Sequence, residues 1–241
     1  MSLRTLIASA ATLLSVVGSA QVQTFQLDGT VASASTRSIL GQNLPASEVQ
    51  QGIPIGSDFS FTFSYDQSQP IHDQYLDVTE YDTPLAFSGS LGNRTFTGTA
   101  LLTMVRDNLP GDGEDQLFLF VSELIYANST EYTPQIITEN NPFPGSDYYL
   151  NRFEIRLTDS TGTAFSGGAL PSTLDLSSFD STSFGVSYHD INVVSDPSDD
   201  VSTAFGGSIS SVTQINAVPE PASVAALGLG AAALLRRRRK A

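Results

Sequence analysis

The chain has 241 residues, 25 acidic and 11 basic, and no cysteine, so a disulfide framework, a thiol nucleophile, cysteine-ligated metal centres and lipid attachment through a cysteine are excluded. The basic residues gather at the ends, leaving 24 acidic residues against Arg37, Arg94, Arg106, Arg152 and Arg156 between Gln21 and Ala217, a formal charge of −19. Such a body repels nucleic acid and anionic lipid, while its charge is expected to serve solubility, with divalent-cation binding as the alternative.

The first twenty residues have the three parts of a secretory signal. Arg4 supplies the positive start, residues 6–17 (LIASAATLLSVV) the apolar run, and Gly18, Ser19 and Ala20 the small residues that signal peptidase requires. Cleavage is expected between Ala20 and Gln21, just before the strand-like VQTFQL. Residues 21–217 then read as one exported domain, since β-sandwiches of this length commonly share a single core.

Within that domain the periodicity is that of strands. Phe59, Phe61, Phe63 and Tyr65 alternate with small polar residues over 58–66, which buries one face. Residues 85–91 and 94–102 flank Gly92-Asn93, a two-residue hairpin turn. The run 117–121 (LFLFV) is apolar on both faces and predicts a central strand covered on each side. Residues 134–146 (PQIITENNPFPGS) are expected to form a long loop. Period-two runs return at Phe153, Ile155, Leu157 and at Phe184, Val186, Tyr188, and residues 204–217 supply a last strand and linker. No segment sustains a 3.6-residue period, so the expected fold is all-β, an antiparallel sandwich or jelly-roll-like domain.

The sharpest polar cluster is Asp107, Asp112, Glu114 and Asp115 on the glycine-rich turn before LFLFV, where hard oxygen ligands on a flexible loop suit calcium. Asp and Gly also dominate ordinary turns, and the spacing matches no EF-hand. Asp196, Asp199 and Asp200 form a second, weaker cluster. His72 and His189 lie in no HExxH or Gly-x-Ser-x-Gly setting, Asn93 and Asn128 match a glycosylation pattern that is expected to be a chance match, and no carboxylate pair is singled out for glycosidase work. The chain has no tryptophan, but Tyr126, Tyr132, Tyr148 and Tyr149 surround the expected long loop and could stack on sugar.

The far end repeats the logic of the leader in reverse order. Val218-Pro219-Glu220-Pro221 precedes fourteen uncharged residues, 222–235, and then Arg236, Arg237, Arg238, Arg239 and Lys240. The prolines hold Glu220 in an extended, accessible stretch. As a helix the apolar run spans about 21 Å, short of the roughly 30 Å of a bilayer core, and suits a transient anchor. The basic residues resist translocation and keep the tail in the cytoplasm.

This three-part arrangement over 218–240 resembles the PEP-CTERM sorting signal. The resemblance implies cleavage by membrane-embedded exosortase near Pro219-Glu220-Pro221, transient insertion in the inner membrane, and delivery to the cell surface or extracellular matrix of a didermal bacterium that makes extracellular polysaccharide. The Phe61, Phe63, Tyr65, Asp66 strand and the 169–179 segment are similar to β-rich ectodomains of such proteins, which implies architecture only. The chain is thus expected to be substrate to signal peptidase and exosortase, not an enzyme, with a structural or interaction role. Alternatives are a carbohydrate-binding module of the biofilm matrix or a polysaccharide hydrolase.

Overall fold

The computed structural model describes residues 22–38, 42–75, 77–83, 86–99, 101–108, 113–122, 136–139, 148–190 and 201–215. The signal region, Asp112, Tyr126, Tyr132, the second acidic cluster and the sorting region lie outside them. In chain order the elements are β1 Val22–Ser38, the one-turn helix α1 Glu48–Gly52, β2 Asp58–Asp66, β3 Asp73–Tyr75, β4 Val78–Thr83, β5 Phe87–Leu91 and β6 Arg94–Thr99. They continue with β7 Leu101–Arg106, β8 Asp115–Ser122, β9 Ile136–Glu139, β10 Tyr148–Asp159, a 3-10 turn Leu176–Ser178, β11 Ser181–Asp190 and β12 Val201–Ile215. All strands among the described residues join one antiparallel sheet in the order β3-β4-β7-β8-β10-β11-β12-β1-β2-β5-β6-β9.

The sheet curls over on itself, and aromatic side chains show where its inner faces meet. Phe61 of β2 lies 4.2 Å from Phe153 of β10 between ring centroids, and Phe59 stacks on Phe184 of β11 at 3.9 Å. Three strands separate β2 from β10 in the sheet order, so these contacts require the curl. The two layers expected of a sandwich are therefore halves of one continuous sheet around a shared core. In β2 the alternation places Phe59, Phe61, Phe63 and Tyr65 inside and leaves Ser60, Thr62 and Ser64 outside.

Strand β8 is buried at all eight positions between β7 and β10, as its apolar run predicts. Leu117, Leu119 and Val121 join the main core, while Phe118 and Phe120 join Leu102 and Met104 on the other face. Arg152 lies 5.0 Å above Phe120, and Arg156 lies 5.3 Å above Phe118. Their aliphatic stems shield the rings from water and the cations meet the negative π faces.

Local turn chemistry also holds. Leu91 faces Arg94 across the Gly92-Asn93 turn, and Gly92 takes φ 59°, a positive angle at the first central position that glycine adopts without strain. Two expectations need correction. The strand starting at Arg94 ends at Thr99, and Leu101–Arg106 crosses to the other half, where β4 and β8 flank it; residues 101–105 are buried on both faces, which only an interior position provides. The expected loop 134–146 contains β9, a four-residue edge strand on β6.

The first and last strands are neighbours, with Thr24 opposite Ile215 and Ser38 opposite Val201. The two ends of the domain therefore leave from one pole. Among the described residues no helix is long and apolar enough to cross a membrane.

Candidate functional site

Three polar arrangements stand out on this framework. The first is the acidic turn. Asp115 opens β8 and is fully buried; its Oδ1 accepts from the Asn108 backbone N–H at 2.9 Å and its Oδ2 from the Phe165 N–H at 2.7 Å. Asn108 reaches Asp107 through its side-chain amide at 2.9 Å. Asp107 is half-buried, Glu114 likewise, and among the described residues no three acidic or histidine groups are gathered where a metal ion would sit. The carboxylate of Asp115 is committed to closing the turn and holding the loop that follows β10.

Its cross-strand neighbour Asp159 does similar work. Thr161 donates its hydroxyl and backbone N–H to Oδ1, and Thr163 and Ala164 donate backbone N–H to Oδ2. The Thr161 hydroxyl, followed by these N–H groups, holds the carboxyl well below its ordinary 3.8. The sequence signal was available, since Asp followed by Ser-Thr-Gly-Thr favours side-chain capping of a turn.

The second arrangement ties the edge strand β9 to the interior strand β11 across the curled sheet. Tyr188 of β11 donates to Oε1 of Glu139 on β9 at 3.2 Å, close to the buried Arg94. Burial pushes the Glu139 carboxyl above its ordinary 4.5, against the opposing pull of the Tyr188 hydrogen bond and the Arg94 charge. Tyr65 and Tyr81 donate to the Pro171 and Gly168 carbonyls and fasten residues 168–171 over the rim. Burial raises both phenols above their usual range, so they remain donors.

The third is a face that sequence reasoning missed. On the outer side of β2, β5, β6 and β9 hydroxyls stand in register: Thr62, Ser88, Thr97 and Thr138 form one row, and Ser60, Ser90 and Thr95 the next. On β1 the neighbouring Asp28 accepts from Gln26, Ser60 and Ser211; burial works against its charge, and those donors outweigh it and lower its pKa. The missed signal is the polar half of the alternation, since SFTFS, SGS and TFTGT carry only Ser and Thr on one side.

The sequence-predicted residues are thus divided. Asp107, Glu114 and Asp115 are placed without converging, His72 and His189 lie apart on β-strand and loop positions far from one another in the sheet order, and Tyr148 and Tyr149 open β10. Ala20, Gln21, Val218 to Pro221 and Arg236 to Arg239 lie outside the described residues. In comparison with known proteins, residues 217–240 fit the family model of the PEP-CTERM protein-sorting motif. No curated protein and no solved structure matches the chain. The motif covers Val218 to Pro221 and the arginine run, and it marks the chain as an exosortase-targeted, exported protein with an all-β ectodomain.

Proposed function

From the sorting motif at 217–240, we propose that the chain is a non-catalytic surface or matrix protein whose β-domain acts by presenting interaction faces outside the cell. The motif match is the observation that carries this reading. Exosortase removes the tail near Pro219-Glu220-Pro221 after transient insertion in the inner membrane, and the domain passes to the cell surface or matrix. Two features of the domain support a binding role over turnover. Glu139, whose carboxyl is pushed up, has the core's own Tyr188 and Arg94 as partners, and Asp115 and Asp159 serve loop closure.

Fractionation of the native bacterium with and without exosortase tests it, using antibodies to the ectodomain and to the extreme tail. The parent chain should reach the surface fraction without its tail, and loss of exosortase should leave tailed protein in the inner membrane. Glu220→Ala should do the same, because it removes the single charge held between the two prolines. Processing and release of Glu220→Ala at the parental level would sink the assignment.

A further inference from the structure

We propose that the outer face of β2, β5, β6 and β9 binds a neutral polysaccharide through its two rows of serine and threonine hydroxyls. This deepens the exported, non-catalytic reading and rests on it. The row of Thr62, Ser88, Thr97 and Thr138 crosses four strands, and at about 4.8 Å per strand it extends roughly 14 Å, the length of a few sugar rings. Two adjoining hollows lie over this face and share Thr62, Ser88 and Thr97.

Six of the seven hydroxyls in the two rows are free, and these six line the two hollows. Nearer β1, outward polar groups satisfy one another: Thr24 bonds Ser64 at 2.8 Å, and Ser60 bonds Asp28 at 2.7 Å. Thr62, Ser88, Ser90, Thr95, Thr97 and Thr138 carry no side-chain hydrogen bond to any described residue. A hydroxyl rotates to donate or accept, which matches the mixed donor and acceptor groups of a sugar chain.

Charge selects the occupant. No charged residue stands in either row, while Asp58 and Asp66 bracket the outer side of β2 and the domain carries −19. Polyanions and a second copy of the chain are repelled, and a polycation finds no carboxylate within the rows. Phe61, Phe87 and Phe96 are buried, so their rings present no exposed stacking platform on this face. A neutral hydroxylated polymer is the class that hydrogen bonding alone retains, through many weak contacts repeated along its length.

The test is native affinity electrophoresis of the processed, exported protein in gels cast with soluble β-glucan, with dextran, or with a polyuronate. A neutral glucan should retard it and the polyuronate should not. Thr62→Val/Thr97→Val/Thr138→Val, which keeps side-chain shape, should weaken retardation at least tenfold. Ser88→Ala/Thr95→Val should weaken it about threefold and serves if the triple variant does not fold. Arg152→Ala, on the outer face of the other half, should bind as the parent does. No retardation in either neutral glucan, equal retardation by polyuronate, or parental binding by both hydroxyl variants would overturn the proposal. Failure of export is read separately by fractionation, so absence of glucan binding by correctly exported protein counts against the hydroxyl face alone.

Discussion

Asp115 shows how a residue that reads as a ligand is spent on the fold. Fully buried at the start of β8, it receives two backbone N–H groups, one from Asn108 in the same turn and one from Phe165, 50 residues further along the chain. A carboxylate in that position costs desolvation unless charge-assisted hydrogen bonds replace its water. Asp115→Ala removes the acceptor and leaves both donors without it, so it should cost about 3 kcal/mol of unfolding free energy. Chemical denaturation with an unchanged m value would measure it, and a loss under about 0.5 kcal/mol would show that the turn closes without Asp115. The acid-rich turn was legible as a turn in the sequence. That its last acid points inward was not, because the partner N–H of Phe165 comes from a distant loop.

At the level of strands, one-sided alternation transferred directly into structure, while long-range pairing did not. SFTFSY buries its aromatic half and LFLFV lies between two neighbours, because period and apolarity are local properties of the chain. The break between Thr99 and Leu101 and the short edge strand in PQIITENN depend on which distant strand is available to pair, and four residues flanked by Pro and Asn carry too little pattern to reveal it. Cross-strand glycine pairs are similarly silent. Gly207 faces Phe184, and a Cβ there would meet the Thr30 carbonyl oxygen and stand 2.6 Å from the Phe184 ring edge. The ring lies over bare backbone and compensates for the missing side chain. Gly207→Ala should therefore destabilise by about 1–3 kcal/mol through overpacking, despite alanine's lower backbone entropy cost. A melting temperature at or above the parental value would refute this close approach.

For the molecule as a whole, shifted carboxyls on the two sides of the curled sheet set opposing limits on stability against pH. Asp28, Asp159 and Asp175 are held below their ordinary 3.8: at Asp28, donors outweigh burial, and at Asp159 and Asp175, Thr161 and Ser177 lead as donors. The unfolded chain binds protons at these sites before the native one does, so their contribution is present above pH 3.8 and is lost as pH falls through the folded values. Glu139 runs the other way. Burial raises its carboxyl above 4.5, so the native state holds a proton that the unfolded chain has released, and its contribution is complete below 4.5 and lost as pH rises through the folded value. The charge of −19 adds to the same trend, since self-repulsion grows as the remaining acids ionise. Melting temperature should accordingly peak in mild acid, at about pH 5, and decline toward both pH 3 and pH 8. Glu139→Gln should flatten the decline on the alkaline side and leave the acid side unchanged, because the acid limit belongs to the three aspartates. A melting temperature that climbs steadily from pH 4 to pH 8 in the parent would show that neither Glu139 burial nor net repulsion governs the balance.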